Sequence, residues 1–120
     1  MKDKLGYLAS PYKNYYAGLD GAYHDVCVIA GNLIQAGVSV YCPIAHGHGI
    51  ARYSGMEMNN YDIWMPLDKM MLDRCDFLIV AHMLGWTESR GITEEINYFL
   101  MSGKPIYDLD IGTLCLVQRK

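Results

Sequence analysis

Residues 76–81, Asp-Phe-Leu-Ile-Val-Ala, form a run in which every side chain after the first is apolar. Such a strand is stable only with both faces covered, as in the middle of a parallel sheet flanked by helices. Other short apolar runs recur along the chain. Leu5-Gly6-Tyr7-Leu8-Ala9 is stopped by Ser10-Pro11, Val38-Ser39-Val40-Tyr41-Cys42 is ended by Pro43, and Pro105-Ile106-Tyr107 begins a fourth. Between the first two, Tyr23, Val26, Cys27, Ala30, Leu33 and Ile34 recur at helical spacing, and Gly37 supplies a C-terminal stop. A second helix is predicted from about Ile92 to Met101, closed by Gly103, and Pro66 predicts the first turn of another that reaches about Arg74. Ile44 to Tyr61, with Gly47, Gly49, Gly55, Asn59 and Asn60, reads as a long loop. The tail from Ile111 to Val117 reads equally as a last strand or a packed extension.

Strands alternating with helices imply right-handed βαβ units. The prediction is therefore a single α/β domain over residues 1–120, a three-layer flavodoxin- or Rossmann-like fold with a mostly parallel sheet of about five strands. Sheets of this kind bind ligands beyond the carboxyl ends of their strands. The loops richest in unusual residues, Ser10 to Lys13, Ile44 to Tyr61 and His82 to Gly91, all follow strands.

The net charge of -3 creates no basic field, which argues against a nucleic-acid polymer as partner. A free nucleoside or nucleotide remains compatible, because a few amides can hold one phosphate. A 52% hydrophobic fraction in so short a chain suits self-association as a homodimer or homotetramer. Cys27, Cys42, Cys75 and Cys115 form no C-x-x-C pair, and three lie in apolar stretches, as reduced buried thiols do. No signal-like opening and no bilayer-length apolar run occur, so no membrane association and a cytoplasmic location are expected.

Glu95 lies three positions after Ile92 and four before Phe99, on the inward stripe of its helix. In a first helical turn it would stay ionised while shielded from water, which suits a nucleophile; a first-turn glutamate also simply helps a helix start. Asp68 is either an ordinary first-turn acid or, paired with Glu95, one of two carboxylates flanking a glycosidic bond. The run Gly85-Trp86-Thr87-Glu88-Ser89-Arg90-Gly91 opens onto a helix N-terminus and could cradle a phosphate, but it is neither a Walker loop nor a G-x-G-x-x-G turn, so no cofactor is indicated. His46-Gly47-His48 lacks the companions of a zinc site, and no metal is expected; the pair reads as pocket or surface histidines. Tyr12, Tyr15 and Tyr16 could stack on a base, or belong to a core or an interface.

Together these residues resemble the nucleoside 2-deoxyribosyltransferase superfamily across roughly residues 1–107. The likeness is strongest to an uncharacterised branch, a domain of unknown function, through Tyr7-Leu8-Ala9-Ser10-Pro11-Tyr12, Trp64-Met65-Pro66-Leu67-Asp68 and Gly85-Trp86-Thr87-Glu88-Ser89-Arg90-Gly91-Ile92. The resemblance implies Glu95, four residues after Gly91, as the nucleophile at the anomeric carbon. It implies Asp68, eight residues before Asp76, as the proton donor to the base, and Tyr7 as the contact to the nucleophile. The related 2'-deoxynucleoside 5'-monophosphate N-hydrolases carry serine six residues before the nucleophile, against the 5'-phosphate; Ser89 stands there, which favours a monophosphate. Ser10, Gly91, His48, Trp64 and Trp86 are the further substrate-binding residues so implied. In those hydrolases a Gly-Ser-type turn follows the first strand, whereas here Ser10-Pro11 does, and Pro11 has no N–H to offer. The expected activity is hydrolysis or transfer at the N-glycosidic bond of a (deoxy)nucleoside 5'-monophosphate through a covalent glycosyl-Glu95 intermediate. The alternatives are a non-catalytic nucleotide-binding or sensing module, and an NAD glycohydrolase.

Overall fold

The structure, a computed structural model, describes residues 3–58 and 60–120. One sheet contains β1 (Gly6–Ala9), β2 (Val40–Tyr41), β3 (Phe77–Ala81), β4 (Ile106–Asp110) and β5 (Cys115–Gln118), in the order β2-β1-β3-β4-β5. β1 pairs in parallel with both β2 and β3, β3 pairs in parallel with β4, and β5 returns antiparallel along β4. The α/β class therefore stands, with a mixed sheet, and the ambiguous tail is an edge strand. The helices are α1 (Gly18–Gln35), α2 (Pro43–Ser54), α3 (Tyr61–Arg74) and α4 (Arg90–Ser102).

Side chains alternate across β1 and β3, and this alternation divides the core in two. Leu8, Phe77, Ile79 and Ala81 pack with Leu109 under Val26, Ile29, Ala30 and Leu33 of α1. Tyr7, Ala9, Leu78 and Val80 pack with Ile106 on the other face, under Leu72 of α3 and Ile92 and Phe99 of α4. Both faces of β3 are covered, as its apolar run requires. Gly6 is needed for close approach, because a Cβ there would overlap the Phe77 ring. At the start of the sheet, Asp76 Oδ2 accepts from Leu5 N (2.8 Å) and Asp76 N donates to Leu5 O (2.7 Å), tying β1 to β3.

Three sequence expectations are corrected. Most of the predicted loop from Ile44 to Tyr61 is helix α2, started by Pro43 at its first position and ended by Gly55 in the left-handed conformation (φ 78°). Its glycines serve contact rather than turning: a Cβ on Gly47 would stand 3.1 Å from Met58, and one on Gly49 3.3 Å from the Tyr23 hydroxyl. Asn59 of that predicted loop lies outside the described residues. Pro66 is not in a first turn but inside α3, which begins at Tyr61. It withholds an N–H from the carbonyl of Asp62, an exposed residue that water can serve. Finally, α4 begins at Arg90 rather than Ile92, so Glu95 lies beyond the first turn.

The four thiols are free; Cys42 and Cys75 are buried, Cys27 is half-buried and Cys115 exposed. Among the described residues no helix is long and apolar enough to cross a membrane.

Candidate functional site

With β2 on one side of β1 and β3 on the other, the chain changes direction beside β1, and the crevice of such a sheet opens there. Five titratable side chains from five elements converge near this edge. Tyr7 of β1 lies 5.9 Å, ring to ring, from Tyr41 of β2 and 6.2 Å from Phe99 of α4. Its hydroxyl hydrogen-bonds the Glu95 carboxyl of α4. The charge of Asp68, from α3, is felt by Tyr7, Tyr41 and Glu95 alike. His46 of α2 completes the group, 5.6 Å from Tyr41 and close enough to act on Asp68.

Burial dominates the electrostatics here. It pushes the Glu95 carboxyl up to about 8; the Tyr7 hydrogen bond opposes the shift, and Asp68 and Glu94 reinforce it. Glu95 as a residue keeps some exposure, so it is the carboxyl end that is shielded. Burial likewise raises Asp68 to about 6, against the pull of His46. Tyr7 is held far above the ordinary tyrosine range by burial and then by the Glu95 charge, and Tyr41 is pushed up to about 12 by burial and then Asp68. The expectation that Glu95 rests ionised is thereby corrected. The helix dipole fades within the first turn, and one turn further in it does not offset desolvation.

Two hydroxyls at the ends of β1 and β2 are buried without a hydrogen-bond partner among the described residues, those of Ser10 and Tyr41. Buried polar atoms without partners are costly, which makes these two hydroxyls candidates to meet water or a ligand.

The remaining site residues from the sequence are spread around this cluster. Ser89 caps α4, its Oγ accepting from Ile92 N at 3.3 Å, and the first amides, Arg90 and Gly91, have no acceptor within the helix. Gly91 is exposed, and nothing crowds a Cβ there closer than Ser89 Oγ at 3.9 Å. Trp86 stacks on His82 with centroids 4.1 Å apart. Trp64 is buried, its Nε1 donating to Glu57 O at 3.0 Å. His48 occupies a separate environment: Nδ1 meets the Tyr12 hydroxyl at 2.7 Å, Nε2 meets Asp20 Oδ1 at 2.8 Å, and the ring stacks on Tyr23 at 4.4 Å.

Two open clefts, of about 430 and 220 Å³, share Asp20 and Arg52, and His48 lines the smaller. Neither is lined by Glu95 or Asp68. The carboxyl cluster has the stronger claim to chemistry, because burial shifts both its acids and the nearby Tyr41 hydroxyl has no partner among the described residues, whereas both His48 nitrogens are paired. His46 and His48 diverge from α2 in different directions, and among the described residues no three His, Cys, Asp or Glu side chains are grouped to hold a metal ion.

Sequence reasoning passed over Tyr41 and Asp20, and it did not tie His46 to Tyr41 or Tyr12 to His48. Tyr41 had a signal, standing at the carboxyl end of a strand just before Cys42-Pro43. The Asp20–His48 pair, 28 residues apart, had none that spacing could reveal.

A family model described as a domain of unknown function (DUF1937) matches residues 4–110. No curated protein matches the chain.

Proposed function

We propose that this chain, which belongs to the DUF1937 family, cleaves or transfers at the N-glycosidic bond of a (deoxy)nucleoside 5'-monophosphate. One observation carries the reading. Glu95 and Asp68, raised to about 8 and about 6, lie together under a protonated tyrosine at the carboxyl edge of the sheet. Between those values the pair holds a single proton, which is the stoichiometry that glycoside chemistry with one nucleophile and one acid requires.

The resting proton sits mainly on Glu95, and the reactive form is its tautomer, with Glu95 ionised and Asp68 protonated. The Tyr7 hydroxyl favours that form by donating to the Glu95 carboxylate. Glu95 attacks the anomeric carbon as the bond to the base breaks, and Asp68 gives its proton to the departing nitrogen. Water or a second base, deprotonated by Asp68, then displaces the sugar and frees Glu95, with net retention at the anomeric carbon. The first amides of α4, with the Ser89 hydroxyl as a donor, suit the 5'-phosphate. The unpartnered Ser10 and Tyr41 hydroxyls suit polar groups of the ligand. The likeness of Glu95, Asp68, Tyr7 and Ser89 to the deoxyribosyltransferase and N-hydrolase pattern supports the same reading, and there Trp64, Trp86 and His48 border the ligand. As in those proteins, a homodimer or homotetramer is proposed, in the cytoplasm.

The test is chromatography of deoxynucleoside monophosphates incubated with wild type and Glu95→Gln. Free base released by wild type and not by the variant is the expected result; no release, or equal release by both, rejects the reaction. Saturable thermal stabilisation by nucleotides without release would assign the site to binding alone, an outcome that the missing Pro11 amide favours. Nicotinamide freed from NAD, with monophosphates untouched, would redirect the same carboxyls to that substrate.

A further inference from the structure

A second polar network lies on the far side of β3, and it reaches past the family-matched residues. His82 directly follows β3; its Nε2 donates to Asp108 Oδ1 of β4 at 2.8 Å. The His82 ring lies nearly parallel to Trp86, with centroids 4.1 Å apart and planes 11° from each other. Arg119 grips the same Asp108 twice, Nε to Oδ2 at 2.8 Å and Nη2 to Oδ1 at 2.9 Å, and its guanidinium stands 6.0 Å from the Trp86 ring. The Arg119 backbone is anchored too, donating to Ile106 O at 2.8 Å. Four side chains from the end of β3, the following turn, β4 and the end of β5 thus close a ring.

The turn is the sensitive member. Trp86 N donates to Met83 O at 3.0 Å, and Ser89 N donates back to Trp86 O at 3.3 Å. Ser89 is in turn the cap of α4. A shift of Trp86 is therefore carried through one hydrogen bond to the cap and the first amides of the helix that bears Glu95. A bidentate guanidinium–carboxylate pair is both strong and directional, and the stacked indole resists sliding.

We propose that β5 and Arg119, outside the matched residues 4–110, act as a latch: Arg119 is a positioning residue that holds Trp86, through Asp108 and His82, and so fixes the loop that opens α4. As a statement about the loop this stands by itself; as a statement about substrate affinity it rests on the proposed function.

Incorporated 5-fluorotryptophan places one fluorine reporter at Trp64 and one at Trp86, the two tryptophans of the chain, and Trp86→Phe assigns them. In Arg119→Ala the Trp86 resonance moves toward that of free 5-fluorotryptophan while Trp64 stays in place, and Arg119→Lys recovers part of the displacement. A Trp86 resonance unmoved in Arg119→Ala, or both resonances moving together, overturns the latch. Should Arg119→Ala not fold, Arg119→Gln keeps the side-chain stem, loses the charge and is read by the same two outcomes. With monophosphate substrates, Arg119→Ala raises KM several-fold and leaves kcat little changed; an unchanged KM overturns the affinity half. A wild type without turnover refutes the proposed reaction and leaves the resonance test intact.

Discussion

The polar groups at the carboxyl edge of the sheet fall into two regions that differ in one respect. Around His48 every strong group has a partner: Tyr12 and Asp20 take its two nitrogens and Tyr23 covers its ring. Around Glu95 the groups crowd together and only partly satisfy one another. Two carboxyls are pushed up by burial, and the nearby Tyr41 hydroxyl has no partner. A satisfied network holds elements together, while buried groups with shifted protonation and an unmet hydrogen bond mark a candidate site. The first region thus reads as structure and the second as chemistry, although two open clefts lie at the first.

The hardest way to break this contrast is Glu95→Gln. Turnover should fall by at least about a thousandfold, as expected when a reacting group is removed from a concerted site. The same change should raise thermal stability at pH 8, since a buried carboxyl that must ionise gives way to a neutral amide. Calorimetry showing a less stable variant at pH 8 would mean that Glu95 is structural.

A related effect is the pH dependence of the wild type. Glu95 moves from 4.5 to about 8 on folding and Asp68 from 3.8 to about 6, so the native state binds more protons than the unfolded chain between those limits. Stability from these groups is complete below about pH 4 and is lost as pH rises through 6 and 8. With one pKa unit corresponding to about 1.4 kcal/mol, and both residues only partly buried, the loss is on the order of 3 kcal/mol. Denaturant titrations from pH 5 to 8.5 check it, and a slope that Glu95→Gln leaves unchanged would place its origin elsewhere.

On the satisfied side, His48→Ala should cost about 2 kcal/mol at pH 7, because the Tyr12 hydroxyl loses its acceptor and Tyr23 its stacking partner. The exposed Asp20 contributes little to that sum. Urea unfolding measures it. A negligible cost, or a collapse of base release as large as that of Glu95→Gln, would erase the distinction between the regions.

Much of the frame was legible in the chain because its signals are local. The apolar run at Phe77–Ala81 demanded cover on both faces, and the spacing of Val26, Ala30 and Leu33 dictated which side of α1 provides it. Helix α2 was hidden because Gly47 and Gly49 resemble turn residues, when their role is to let Met58 and Tyr23 approach. The extent of α3 was hidden by Pro66, which a helix tolerates there at the expense of one exposed carbonyl. In the site, Glu95 declared itself by lying on an apolar stripe. Its protonation did not, since the starting point of α4 and the burial of its carboxyl depend on how three elements close over β1. The His82–Asp108–Arg119 ring, built across separations of 26 and 11 residues, was invisible for the same reason.

The smallest effect discriminates most finely. Tyr41→Phe deletes only a buried hydroxyl that has no partner, so stability should stay level or rise by up to about 1 kcal/mol, the reverse of the usual result of losing a hydroxyl from a network. The ring contacts to Tyr7 and His46 survive the change. If the hydroxyl is reserved for a ligand, the cost appears only when substrate is present, as weaker binding in a protein that is no less stable. Isothermal titration with deoxynucleoside monophosphates, run beside urea unfolding of the same variant, separates the two quantities. A loss of stability with binding unchanged would show that this hydroxyl supports the fold, and the contrast between the regions would then rest on the two raised carboxyls alone.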